Sequence, residues 1–178
     1  MADTEWVPPS EIPELVYEAD VVAIDLETHD PDIKTKGPGW ATNNGKVIGV
    51  AIAANGWKGY FPVAHEKGPN LDERIFKRNF KKILDKDNIK VFHNAMYDVG
   101  WMRQWGLEVK GTIVDTMIAA PLIDENRFRY SLNELSKDYL KEKKYETELY
   151  EAASQWGTDA KGEMHKLPAM IVGPYAEK

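Results

Sequence analysis

Residues 21–27, VVAIDLE, set the tightest constraint on what this chain can fold into. The near-continuous apolar start, rich in valine and isoleucine, predicts a strand buried at its beginning on both faces. Side chains alternate along a strand, so Val22, Ile24 and Leu26 face one way while Asp25 and Glu27 share the other. The fold must therefore pack a core against one face and accommodate two neighbouring carboxylates on the other, at the strand's carboxyl end. Residues 46–55 (KVIGVAIAAN) and 57–63 (WKGYFPV) read as two more strands, joined at Asn55-Gly56, a favoured hairpin dipeptide. Three strands in succession predict an antiparallel meander. The intervening residues 28–45 concentrate Pro, Gly, Asn and Asp and are expected to be an irregular connection.

Further along, Ile75, Phe76, Phe80, Ile83 and Leu84 recur at helical spacing in a helix expected from about residue 70 to 84. A fourth strand follows at 90–93 (KVFH), then a helix over 94–105 and a short fifth strand over 111–115. More helices are expected near 116–123, 131–140 and 145–154. A helical turn or two at 14–20 leads into the first strand, and Gly173-Pro174-Tyr175 reads as the start of a last helix, because proline fits the first helical turn. A meander followed by strand, helix, strand, helix defines a mixed α/β layer fold, a five-stranded sheet flanked by helices. Residues 1–20 are expected to be a lead-in and 21–178 one domain.

Composition narrows the function classes. With 178 residues, 43% of them hydrophobic and six tryptophans among them, the chain can enclose one sizeable core. No segment approaches the ~20 apolar residues that cross a bilayer, so no membrane partner is expected. The first fifteen residues show no basic region followed by an apolar stretch, and hence no secretory signal. The absence of cysteine excludes thiolate metal sites and fits an intracellular protein; any metal must be held by oxygen or imidazole. A net charge of −6 argues against coating duplex nucleic acid through a broad basic surface. It leaves room for an enzyme that grips a few nucleotides with metal ions supplying positive charge.

Asp25 and Glu27 alone fit a strand running out into solvent. Asp98 makes the pair more pressing. On a helix over 94–105 it falls in the sector of Ala95, Trp101, Met102 and Trp105, opposite Met96 and Arg103. A carboxylate on an apolar face must be protonated, paired with a base or bound to metal. Hard divalent cations prefer oxygen ligands, and two of them about 4 Å apart can activate water and stabilise a leaving oxygen.

Asp25-Leu26-Glu27-Thr28 resembles the first exonuclease motif of the DEDD superfamily, and His93-Asn94-Ala95-Met96-Tyr97-Asp98 resembles the second. Tyr175 after Gly173-Pro174 is similar to the start of the third motif, Y-x-x-x-D, of the tyrosine subclass. Residues 114–117 (VDTM), 131–135 (SLNEL), 37–40 (GPGW) and 60–66 (YFPVAHE) are most similar to the proofreading domains of phage-type family A DNA polymerases. The resemblance implies an RNase H-like fold and 3′→5′ removal of nucleoside monophosphates from a single-stranded or frayed DNA end, with two Mg²⁺ or Mn²⁺ ions. It further implies metal ligation by Asp25, Glu27 and Asp98, water orientation by Tyr175, and contacts to the terminal nucleotide from Leu26, Thr28, His93, Asn94 and Tyr97. The aspartate of the third motif would follow directly on Lys178. A polymerase domain is expected downstream, metal binding and nuclease activity are expected to be reduced without that aspartate, and the location expected is the cytoplasm, of the host cell if a phage encodes the chain.

Other residues have plainer readings. Asp115 closes a strand and reads as a helix N-cap. His93 suits an ordinary hydrogen bond as well as it suits a substrate contact. His29 and Asp30 suit a turn, His65 and His165 are expected to be exposed, Trp101 and Trp105 to be core, and residues 137–144 (KDYLKEKK) to form a solvated helix face. An RNA-trimming exonuclease of the same subclass and a non-catalytic single-strand-binding module are the competing functions.

Overall fold

In a computed structural model describing residues 5–141 and 146–178, the alternating segment forms β1 (Val21–His29). Val22, Ile24 and Leu26 are buried, whereas Val21 and Ala23 are exposed. The strand is thus covered on one face at its start, not on both: among the described residues, nothing buries Val21 and Ala23. β2 (Lys46–Ala54) pairs antiparallel with β1 and turns at Asn55-Gly56 into β3 (Trp57–Pro62). Both turn residues have positive φ, 50° and 78°, as a two-residue hairpin turn requires. Opposite Glu27 and Thr28 the register skips Ile48, since Glu27 pairs with Gly49 and Thr28 with Val47. This bulge lets Val47 and Val50, three residues apart, enter the same core while Ile48 turns to the other face.

β4 (Ile89–Phe92) and β5 (Thr112–Asp115) run parallel to β1, giving the mixed five-stranded order β3-β2-β1-β4-β5. On the face of Val22, Ile24 and Leu26 lies α1 (Glu14–Tyr17), which buries Val16. The connection expected to be irregular contains two single-turn helices, α2 (Ile33–Lys36) and α3 (Gly39–Thr42). α4 (Glu73–Leu84) starts at Asp72, whose carboxylate accepts the Ile75 N–H at 2.9 Å, and buries Phe76, Phe80, Ile83 and Leu84. Ile75, assigned to the same stripe by spacing, is 53% exposed. α5 (Ala95–Gln104) completes this layer with Trp101 and Met102 fully buried. Trp105 is only half-buried, its indole N–H reaching Glu73 Oε1 at 2.7 Å.

After β5 the chain forms α6 (Thr116–Ile123) and α7 (Leu132–Leu135), then a π-helical turn (Ser136–Leu140). Lys137 and Asp138 lie in that turn, whereas 142–144 of the charged run and Tyr145 fall outside the described residues. The second face of the sheet, carrying Ile48, Ala51 and Tyr60, packs against α8 (Thr147–Trp156), a 3₁₀ turn (Met164–Lys166) and α9 (Ala169–Ala176) through Leu149, Leu167 and Val172. α9 starts at Ala169 behind Pro168, so Pro174 lies in its second turn and does not open a new helix. The cap is Pro168, in extended conformation, a start that the reading from Gly173-Pro174 missed. No helix among the described residues is long and apolar enough to cross a membrane.

Candidate active site

Because β1 and β4 are parallel neighbours, their carboxyl ends open side by side, where such sheets hold ligands. Asp25 and Glu27 emerge there on the face opposite the first core. Across the ladder they meet small residues, Ala51 beside Asp25 and Gly49 beside Glu27. A Cβ at Gly49 would stand 2.0 Å from the Tyr60 hydroxyl oxygen, so glycine is what lets that phenol reach toward the two acids. An open groove of about 230 Å³ runs past Asp25, lined by Ala23, Val91, His93 and Thr116 and by the basic Lys58 and Lys178.

The second group arrives on α5. Asn94 precedes the helix in the left-handed region, at φ 77°, which asparagine tolerates. The Asp115 carboxylate then accepts three backbone N–H groups: Asn94 at 3.0 Å, Ala95 at 2.7 Å and Met117 at 2.9 Å. It is the expected cap of α6 and, beyond that expectation, of α5. Burial alone would raise the Asp115 carboxyl, but the three N–H groups outweigh it and hold it below the usual carboxylate range.

One turn further on, Asp98 is 3% exposed, on the buried side of α5 as its spacing required, while Met96 is exposed. Asp98 Oδ1 accepts the Leu26 N–H at 3.2 Å, which places it directly behind the strand segment between Asp25 and Glu27. Burial pushes its pKa up to about 8, with the charges of Asp25 and Glu27 adding to the rise and the Leu26 N–H opposing it. The Leu26 side chain itself belongs to the core.

Thr28 and Tyr97 share a 2.8 Å hydroxyl hydrogen bond, and Tyr97 donates to Asp30 Oδ2 at 3.0 Å. The same Asp30 oxygen accepts the Gly39 N–H at 2.9 Å, so Asp30 does more than shape a turn: it ties the strap over residues 30–45 to both motifs. Burial moves the Tyr97 phenol up to about 12. His93 Nδ1 shares a 2.9 Å hydrogen bond with the Thr116 hydroxyl, the ordinary role weighed for it, while its ring also lines the groove. Tyr175, on α9, is raised well above the usual phenol range by burial first and then by the charge of Glu27, which puts it within electrostatic reach of the acid pair.

The structure thus brings Asp25, Glu27, Asp98, Tyr175, Thr28, Asn94, Tyr97 and His93 to one end of the sheet. Two histidines expected to be exposed are instead buried: His65 is 4% exposed and His165 6%. His165 lies under the ring of His29, with centroids 3.7 Å apart. Polar neighbours in the sequence hid both; the signal that would have found His65 is the alternation of β3, which turns Tyr60 toward the acids and so gives His65 a buried partner.

The charges of Asp25 and Glu27 act on the protonation of Asp98, although among the described residues no three of the carboxylate and imidazole groups already surround a single point. The donors of these three acids are all oxygen, one acid is buried, and a divalent cation would offset the burial and the neighbouring negative charge that raise the Asp98 carboxyl. The residues fit a hard divalent ion.

Strand order and parallel carboxyl ends define an RNase H-like fold, and solved structures agree. RNase D of Trypanosoma brucei superposes with a TM-score of 0.66 at 18% identity, over 92% of this chain and 55% of that one. NrnC of Brucella melitensis with bound Mg²⁺ gives 0.53 at 21% identity, over 71% of this chain and 56% of that one. Residues 7–178 match the 3′–5′ exonuclease family of family A DNA polymerases, and the chain belongs to that family. A DNA-directed DNA polymerase of Pseudomonas phage M6 is 35% identical over 164 residues, 88% of this chain and 24% of that protein. The chain spans about a quarter of the length of the phage relatives it matches.

Proposed function

We propose that Asp25, Glu27 and Asp98 hold two divalent ions, Mg²⁺ or Mn²⁺, and that the chain removes nucleoside monophosphates from a single-stranded or frayed 3′ end of DNA as the proofreading domain of a polymerase. The observation that carries this reading is the buried Asp98 carboxyl, raised to about 8 behind two further acids, a charge arrangement that a cation relieves. Bound ions would supply an activated water and stabilise the leaving oxygen. The chain's own residues do the rest. Tyr175, held in its neutral form, orients the attacking water by its hydroxyl. Thr28, Asn94 and Tyr97 seat the terminal nucleotide, with His93 and the Leu26 backbone beside them. Lys58 and Lys178, in the groove next to Asp25, meet the phosphate backbone.

DNA is favoured over RNA because the relatives that share sequence are DNA polymerases. The same relatives support assigning residues 21–178 to the exonuclease domain and a C-terminal polymerase domain to the parent protein, which would act in the cytoplasm. The test is the initial rate on matched DNA and RNA single strands with Mg²⁺, for the native chain and for Asp25→Ala. The expected result is faster cleavage of DNA and a loss of at least about 100-fold in the variant. An unchanged rate in Asp25→Ala would instead indicate a binding module, and faster RNA cleavage an RNA-trimming enzyme.

A further inference from the structure

The segment over residues 60–66 carries a buried pair that the proposed chemistry does not use. Asp25, Ala51 and Tyr60 lie in one row across β1, β2 and β3, and directly opposed residues of an antiparallel pair share a face. Tyr60 therefore points to the side of the sheet that carries the acids. It is fully buried, and its hydroxyl passes over Gly49, the ladder partner of Glu27. There it meets His65 Nε2 at 2.7 Å, while His65 Nδ1 lies 3.0 Å from the Leu167 carbonyl oxygen.

The direction of these bonds follows from chemistry. A carbonyl oxygen only accepts, so His65 Nδ1 carries the hydrogen. Burial keeps the ring neutral, with a pKa lowered to about 4. Nε2 is then a bare acceptor, and the Tyr60 hydroxyl donates to it. The histidine backbone is fixed as well: its N–H donates to Asn70 Oδ1 at 2.9 Å and its carbonyl accepts from Asn70 Nδ2 at 2.8 Å. The next residues dock on the segment before α9, through Glu66 N–H to His165 O at 2.8 Å and Ala169 N–H to Lys67 O at 3.2 Å. Leu167 stands two residues before α9, the helix that carries Tyr175.

We infer that Tyr60 and His65 are positioning residues for the nuclease site, a clamp whose phenol forms the floor beside Glu27 and whose imidazole fixes α9 so that Tyr175 keeps its distance from the acids. The inference rests on the reading of Glu27 as a site residue.

Two substitutions separate the arms. His65→Asn keeps an N–H donor for Leu167 O and removes the acceptor for Tyr60; His65→Gln keeps an acceptor near the Nε2 position and removes the donor to Leu167 O. With Tyr60→Phe and Glu27→Gln, these variants are assayed well below their melting temperatures for kcat and KM on a 5′-labelled single strand, and for Mn²⁺ affinity by calorimetric titration. Tyr60→Phe and His65→Asn are expected to lose about tenfold or more in Mn²⁺ affinity and in kcat with KM little changed. His65→Gln is expected to lose kcat while holding Mn²⁺ near the native affinity. A core role would lower the melting temperature and leave kcat and Mn²⁺ affinity within about twofold, and that result in both Tyr60→Phe and His65→Asn would overturn the clamp. If Glu27→Gln also left both quantities unchanged, the reading of the site itself would fall; loss in Glu27→Gln alone would remove only the clamp.

Discussion

Asp98 is the residue on which the proposed chemistry turns, and its environment makes a stability prediction of definite sign. A carboxyl whose folded pKa is raised holds its proton in the native state between the unfolded value, about 4, and the folded value, about 8. In that window the native state binds more protons than the unfolded state, so stability falls as pH rises. Metal-free protein is therefore expected to melt at progressively lower temperature from pH 4.5 to 8, by ~5 °C or more from this group. Asp98→Asn should flatten the trend, because an amide keeps an acceptor for the Leu26 N–H without the charge. Saturating Mn²⁺ should reverse it in the native chain only. Melting curves across this pH range check both. The residue scale is also where the sequence was most legible: alternation put Asp25 and Glu27 on one strand face, and helical spacing put Asp98 on the buried side of α5. His65 was not legible, because its burial depends on β3 and the segment before α9 closing over it, contacts 102 residues apart.

Among the elements, α5 is the piece whose placement decides whether the acids converge, and Asp115 holds its start. One carboxylate serves the first turns of α5 and α6, so Asp115→Ala removes two caps at once. The expected cost is about 2 kcal/mol, read as a shift in the urea midpoint with an unchanged slope. The strap over residues 30–45 depends on Tyr97 in a comparable way. Tyr97→Phe removes the hydroxyl that joins Thr28 to Asp30 and should raise amide hydrogen exchange across 30–45, by the loss of about 1 kcal/mol of local stability, without altering exchange in α4. Strands and the Asn55-Gly56 hairpin were readable because period two and turn chemistry are local signals. The start of α9 was not, since Gly173-Pro174 carries a local start signal while the helix already begins at Ala169 and packs against β3. The bulge at Ile48 was equally hidden: an extra residue in one strand becomes visible only when its partner is paired with it.

For the whole molecule, the account holds that an acidic chain can process nucleic acid because its cationic component is bound metal and not a basic surface. Net charge −6, with the Asp25 carboxylate lining the groove, would repel a phosphate backbone in the absence of divalent ions. On the proposed reading the cation is held by two acids from β1 and one from α5, with the Tyr175 phenol of α9 beside them. The most direct test is the product ladder from a 5′-labelled single-stranded DNA oligonucleotide, followed in Mg²⁺ and in chelator for the native chain and for Asp98→Asn. The account predicts stepwise shortening from the 3′ end that requires Mg²⁺ and is lost in Asp98→Asn. Shortening that persists in chelator, or at the native rate in Asp98→Asn, would contradict it.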